Sequence, residues 1–351
     1  MNIEEWVNSM PLTDEEREVL SIKKSEEKDI NFTDEEVYKM FFDRVDTQNL
    51  GLYKTHSLDV HSIGATNLIT QLFDYYVNDE TLVVCSTYEH PALKGNLYKA
   101  KHTLQLSDDD LFRILDGDLS IVERIIDEAK KHKFVFLYVI GMQNCLMKAT
   151  PTEFYRQIKD RLTKENIPNI VCIDSVQEMF FYNRDYRIFD YVIGTGHASV
   201  KDHDIGFMMH KKELHSFNEE GNVKDLYYFL KQLDVMINRK EKFLSFRKIM
   251  SEHFKKNANV RYYELDTVEF AFSAVVETSL NKKQWERAEF LIHEMKYTFD
   301  FTIAPYKNKL LIRFRCQSYM VFHHSLENVI NELEFALNLV RFINNGAMDN
   351  F

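Results

Sequence analysis

The chain has 351 residues, a net charge of −11, 45% hydrophobic and 13% aromatic content, enough for about two domains with a sizeable core. Both charge signs are spread along the chain, which argues against nucleic acid and anionic membrane as partners, since both call for basic patches. The four cysteines, Cys85, Cys145, Cys172 and Cys316, are far apart and form no C-x-x-C, as expected of a reduced compartment without disulfides. The start, MNIEEWVNSMPLTDEE, has neither a basic nor an apolar leader region. No apolar run approaches the roughly 18 residues of a membrane span. A soluble cytoplasmic protein is expected.

The first fifty residues are polar and carry helix signals. Thr13–Glu16 and Thr33–Glu36 have the pattern of capping boxes, in which a hydroxyl and a carboxylate satisfy the orphan N–H groups of a helix start. From about residue 60 the pattern changes. Ser62–Thr66 precedes an apolar-periodic helix over 67–76. A strand follows at 82–86, then a helix over 111–132 leading into a strand at 134–140. A helix at 152–165 leads into a strand at 170–173, and further strands fall at 191–194 and 206–210. A long helical region covers 223–256. The last hundred residues read as a smaller α+β domain, with strands at 268–277 and 309–315 and helices at 283–295 and 326–343. Strands apolar on both faces that alternate with helices argue for a parallel or mixed sheet sandwiched by helices. Ligands of such sheets sit outside the carboxyl ends of the strands. No linker announces itself, with 5 Pro and 10 Gly; boundaries are placed near residues 55 and 240.

The polar residues that stand out lie at such ends. Asp174 closes the strand IVCID, and Gln177 follows one short turn later. A carboxylate there caps a strand end or partners a buried cation. Together the pair suits a heteroaromatic ring whose protonated nitrogen needs an anion and whose hydroxyl needs a donor. Thr195-Gly196-His197 ends the next strand. No G-x-G-x-x-G follows a strand and no P-loop is present. His61, His90, His197 and His203 have no standard metal-ligand spacing.

These residues resemble the class V aminotransferase and cysteine desulfurase branch of fold-type-I pyridoxal-phosphate enzymes, from about residue 60 to 335. Gly64-Ala65-Thr66 at a helix start looks like the family's phosphate-cradling turn. Glu89-His90 looks like its Glu-His, whose imidazole stacks on the cofactor ring. Asn144 with Pro151 matches its Asn…Pro loop, where the amide faces cofactor or substrate. Asp174 and Gln177 match the pyridine-nitrogen acid and ring-oxygen amide, and Thr195 and His197 match the phosphate-holding hydroxyl and imidazole. Arg313, with Tyr319 six places on, matches the Arg…Tyr that grips a substrate carboxylate; Arg315 is a second candidate. The resemblance implies a large cofactor-binding domain (56–240) with a mostly parallel seven-stranded sheet, and a small α+β domain (241–351). The helical segment 1–55 is expected to pack on the small domain. It also implies pyridoxal or pyridoxamine 5′-phosphate as cofactor, an amino or keto acid as substrate, and a homodimer.

The family's Schiff-base lysine belongs directly after the His, and that slot is Ala198. Its usual Gly-Pro-x-Gly is replaced by Lys201–Asp204. Three readings stand: Lys201 reaches the cofactor by another loop path; the cofactor binds without a covalent lysine and His197, His203 or Lys201 shuttles protons; or the fold serves as an inactive binding protein. Unpaired polar groups in a buried site cost about 1–3 kcal/mol each, which argues against the third. Cysteine desulfuration is disfavoured, because 301–312 holds no cysteine. Transamination, elimination or related chemistry remains.

Overall fold

The computed structural model describes residues 3–9, 11–21, 32–61, 64–87, 89, 91–143, 146–196, 200, 205–217, 223–257, 261–277, 281, 302–306, 309–315 and 338. The chain divides into two compact units. One holds Glu18–Asn144 and Ala149–Ile237; the other holds Met1–Arg17, Cys145–Lys148 and Asn238–Phe351.

The larger unit is built on seven strands: β1 (His56–His61), β2 (Thr81–Ser86), β3 (His102–Leu106), β4 (Phe134–Ile140), β5 (Asn169–Asp174), β6 (Tyr191–Thr195) and β7 (Gly206–Lys211). Their spatial order is β1-β7-β6-β5-β4-β2-β3. All neighbouring pairs are parallel except those made by β7, which runs antiparallel to β1 and β6. Strands β4 and β5 have the continuous apolar runs FVFLYVI and IVCI, as a sheet buried on both faces requires. One face buries Val83, Cys85, Phe136, Tyr138, Ile170, Cys172, Tyr191 and Ile193 under Leu68, Ile69, Leu72 and Phe73. These last four sit at helical spacing on the Gly64–Tyr76 helix, so one amphipathic stripe covers the sheet. The residues between them in β4 and β5, such as Leu137, Val139, Val171 and Ile173, are equally buried, with the Thr152–Lys164 helix packed on β5.

The expected helix over 111–132 is two helices, Asp108–Leu115 and Ile121–Ala129. Gly117 breaks it with a left-handed φ of +85°, a conformation open to glycine at little cost. The expected helical region over 223–256 consists of three successive helices, Val223–Asn238, Lys240–Leu244 and Phe246–Asn257. Both capping boxes form. Residues 18–55 belong to the larger unit, because the stripe Val37, Phe41, Phe42 and Val45 of the Asp34–Val45 helix is buried there. Phe41 lies edge-on to Phe180 and Phe207.

The smaller unit contains an antiparallel sheet of β8 (Tyr262–Glu264), β9 (Ala271–Val276), β10 (Thr302–Tyr306) and β11 (Lys309–Arg315), in the order β8-β9-β11-β10. Phe254 of the Phe246–Asn257 helix packs its ring on Phe272 of β9 at 4.7 Å. Trp6 packs on Phe246 at 5.3 Å, and its indole N–H donates to the Lys242 carbonyl. The expected helices at 283–295 and 326–343 lie outside the described residues, apart from Asn338. Among the described residues no helix is long and apolar enough to cross a membrane.

Candidate functional site

The carboxyl ends of β2, β4, β5 and β6 form one edge of the large sheet, and the polar residues of that edge converge there. Asp174 is the last residue of β5, 3% exposed. Its ladder partners are Ile140 of β4 and Ile193 of β6, so it occupies the middle of the sheet. Its carboxylate accepts the Tyr138 hydroxyl at Oδ2 (3.2 Å) and the Val176 N–H at Oδ1 (3.1 Å). The second bond is an Asx turn that aims the chain away from the sheet. Gln177, half-buried, sits on the turn that follows.

A second acid stands close by. Glu89, 3% exposed, follows β2. Its Oε1 accepts the Ser86 N–H (3.0 Å), the Ser86 hydroxyl (2.6 Å) and the Ile140 N–H (3.2 Å), and so ties the tips of β2 and β4 together. Its Oε2 is buried and makes no hydrogen bond among the described residues. Burial pushes the Glu89 carboxyl up to about 8, with the Asp174 charge adding to it. The Tyr138 hydroxyl is raised well above the tyrosine range, by burial first and then by Asp174 and Glu89. Burial, with Glu89 beside it, pushes the Cys85 thiol up to about 12, so that it stays protonated and packs as a small apolar group.

At the other end of this edge, Gly64-Ala65-Thr66 opens the thirteen-residue helix that covers the sheet. Gly64 has φ +70°, and Thr66 is exposed. Gly206, the first residue of β7, pairs with Thr195 and with His61. A Cβ on Gly206 would lie 2.5 Å from the Gly64 carbonyl carbon and oxygen and 3.0 Å from the Ala65 nitrogen. The ladder and this close approach therefore bring the helix turn and Thr195 to one place. The Thr195 hydroxyl donates to the Ile205 carbonyl (3.0 Å), so a phosphate there would compete with a backbone acceptor for that proton. Gly206→Ala is expected to destabilise the protein by about 1–3 kcal/mol, the usual cost of overpacking, and to disturb this turn. Urea unfolding checks it, and an unchanged midpoint would show that the turn yields freely.

Beneath the edge lies an ion pair that the sequence reading missed. Arg184 and Glu178 both have fully buried side chains. Arg184 Nε donates to Glu178 Oε1 (2.6 Å) and Nη2 to Oε2 (2.9 Å). Its remaining donors reach the carbonyls of Thr150 (2.7 Å) and Gly141 (3.2 Å). Glu178 also accepts the Ser175 hydroxyl (3.0 Å). Thus the segments after β4 and β5 are fastened to each other next to Asp174. Gly141 has no room for a side chain, because its Cβ would stand 2.5 Å from Glu178 Oε1.

Of the other expected site residues, His90, Asn144, His197, Ala198, Lys201, His203 and Tyr319 lie outside the described residues. Pro151 caps the Thr152–Lys164 helix. Arg313 belongs to the smaller unit. It is 8% exposed on β11, opposite Ser273 of β9 and Thr302 of β10; Arg315 lies two residues on, opposite Ala271. Among the described residues no group of His, Cys, Asp and Glu could hold a metal ion.

The buried carboxylate, the glycine-lined turn and the acid with an unused oxygen fit a planar, phosphorylated, cationic ring.

No family model and no curated protein matches the chain. Solved structures do. A NifS-like protein from Rickettsia africae aligns with TM-score 0.64 at 11% identity, over 96% of this chain and 98% of its own. Serine palmitoyltransferase from S. paucimobilis, with a bound PLP–myriocin aldimine, aligns with TM-score 0.56 at 14% identity, over 92% of this chain and 78% of its own. An apo cysteine desulfurase from Thermococcus onnurineus aligns with TM-score 0.55 at 13% identity, over 88% and 84%. At these identities the likeness is one of fold. The chain has the α/β architecture of the fold-type-I pyridoxal-phosphate enzymes, with its mostly parallel seven-stranded sheet.

Proposed function

We propose that the chain is a pyridoxal-phosphate-dependent enzyme acting on an amino or keto acid, of the aminotransferase class V type. The observation that carries this reading is Asp174: a buried carboxylate at the tip of the central strand, where this fold offers its ligand edge. Asp174 pairs with the ring nitrogen and Gln177 with the ring oxygen. Gly64, Ala65 and Thr66 hold the phosphate at the helix start, where N–H groups point outward and the dipole favours an anion; Thr195 and His197 complete that hold. His90 stacks on the ring, Asn144 faces the substrate side, and Arg313 grips the carboxylate. When bound, the cofactor supplies the electron sink for breaking a bond at the substrate's α-carbon. The active form is a homodimer in the cytoplasm.

Lys201 is the candidate for covalent attachment. A lysine beside a cationic ring has the lowered pKa that an amine nucleophile needs. Ala198 in the usual slot supports a second reading, a cofactor held without a lysine. Borohydride reduction of the loaded protein, followed by peptide mapping, separates them. The expected result is label on Lys201; label on no lysine supports the second reading, and label on another lysine removes Lys201 from the role. A loaded protein whose absorbance responds to no amino or keto acid would remove the enzyme reading.

A further inference from the structure

We propose that Glu89 and Asp174 work as a two-acid pair in which Glu89 is the neutral member. Glu89 is held protonated at neutral pH, so the strand tips present one negative charge to the cofactor rather than two. The proposal rests on the functional reading above and adds a residue to it.

The geometry is that of an acid kept uncharged. All three donors that reach Glu89 converge on Oε1, and Oε2 is buried without a partner. An ionised carboxylate spreads its charge over both oxygens and leaves one of them desolvated at high cost. A neutral acid places its proton on Oε2 and its carbonyl on Oε1, which matches the observed bonding. The second charge is near. Glu89 bonds to the Ile140 N–H, and Ile140 is the ladder partner of Asp174. Among the described residues, the titratable groups that act on or beside Glu89 include Cys85 from β2, Tyr138 from β4, Asp174 from β5 and Tyr155 from the Thr152–Lys164 helix. Among the described residues the nearest cations act one step further out, Lys94 on Cys85 and Arg184 on Tyr155, and neither bonds to Glu89. Two carboxylates in one buried place do not both ionise readily. Asp174 has a donor on each carboxylate oxygen, whereas the three donors to Glu89 all reach Oε1 and leave Oε2 bare. Burial accordingly moves the Glu89 carboxyl up to about 8.

The arrangement costs stability. A carboxyl raised in the native state stabilises the fold below its ordinary range. That contribution is lost as the pH rises toward about 8 and changes no further above it. Glu89 is thus a positioning residue kept at a stability penalty, as residues at functional sites often are. Glu89→Gln keeps an acceptor for Ser86 and Ile140 and cannot ionise.

The test compares Glu89→Gln with wild type in two measurements. The first is thermal unfolding of the full chain without added cofactor, from pH 5 to 9. The stability of Glu89→Gln relative to wild type is expected to rise by several degrees between pH 5 and 8 and then to level off. A difference that is constant with pH would overturn the protonation of Glu89. The second is the absorbance of the protein loaded with pyridoxal phosphate over the same range. A spectral step with a midpoint near 8 is expected in wild type and not in Glu89→Gln. An identical step in both would overturn the link between Glu89 and the cofactor. If no cofactor binds, the functional reading fails and with it the pair's role, while the unfolding measurement still decides whether Glu89 holds the proton.

Discussion

Glu178→Gln and Arg184→Met are each expected to lower the folding free energy by about 3–5 kcal/mol, the cost of leaving one partner of a buried ion pair unpaired. The two side chains are fully buried and joined by two short bonds. Arg184 cannot lose its proton, and burial leaves it no water. Its remaining donors satisfy the Gly141 and Thr150 carbonyls, so Arg184→Met also strands two acceptors at about 1–3 kcal/mol each. The double variant Glu178→Gln/Arg184→Met is expected to cost less than the sum of the single variants, because it leaves no lone buried charge. Urea unfolding of the four proteins measures this coupling directly. Additive single effects would mean that the two groups do not depend on each other. The stakes extend beyond stability, since the pair fastens the turn that carries Asp174 and Gln177.

Asp174→Asn is expected to weaken pyridoxal phosphate binding by roughly 10- to 100-fold, the equivalent of one hydrogen bond to a charged group at about 1.5–3 kcal/mol. Asparagine retains an acceptor for the Val176 N–H and a neighbour for the Tyr138 hydroxyl, so the fold is expected to stand. What is lost is the anion that keeps the ring nitrogen protonated. This variant and Glu89→Gln pull apart two roles at one edge. The first removes the charge that binds; the second fixes the group that is already neutral.

Much of the fold is legible in the sequence because a parallel sheet buried on both faces writes long apolar runs. FVFLYVI is a strand over the expected span; KLLIRFR, in the antiparallel sheet, is one too, with alternation rather than an unbroken run. HSLDVH and HTLQL are also strands, without an apolar run to mark them. They form the two edges of the large sheet and carry His, Asp and Gln among few apolar residues. The helix over 111–132 reads as continuous because Gly117 is a single interruption whose φ no periodicity reveals. At the site, Asp174 announces itself as the one acid ending an apolar strand. Tyr138 gives a weaker signal, a hydroxyl inside FVFLYVI. Glu178 and Arg184 give none. They pair six residues apart across a turn, where neither the 3.6 nor the 2.0 residue period applies.

The central claim is that a pyridoxal-phosphate site lies at the carboxyl ends of β2, β4, β5 and β6. A near-ultraviolet to blue absorbance titration of the full chain with pyridoxal phosphate, run beside Asp174→Asn, tests it most directly. A saturable change in the cofactor spectrum that is weakened in Asp174→Asn is the expected result. An unperturbed spectrum in wild type, or equal affinity in both proteins, would contradict it.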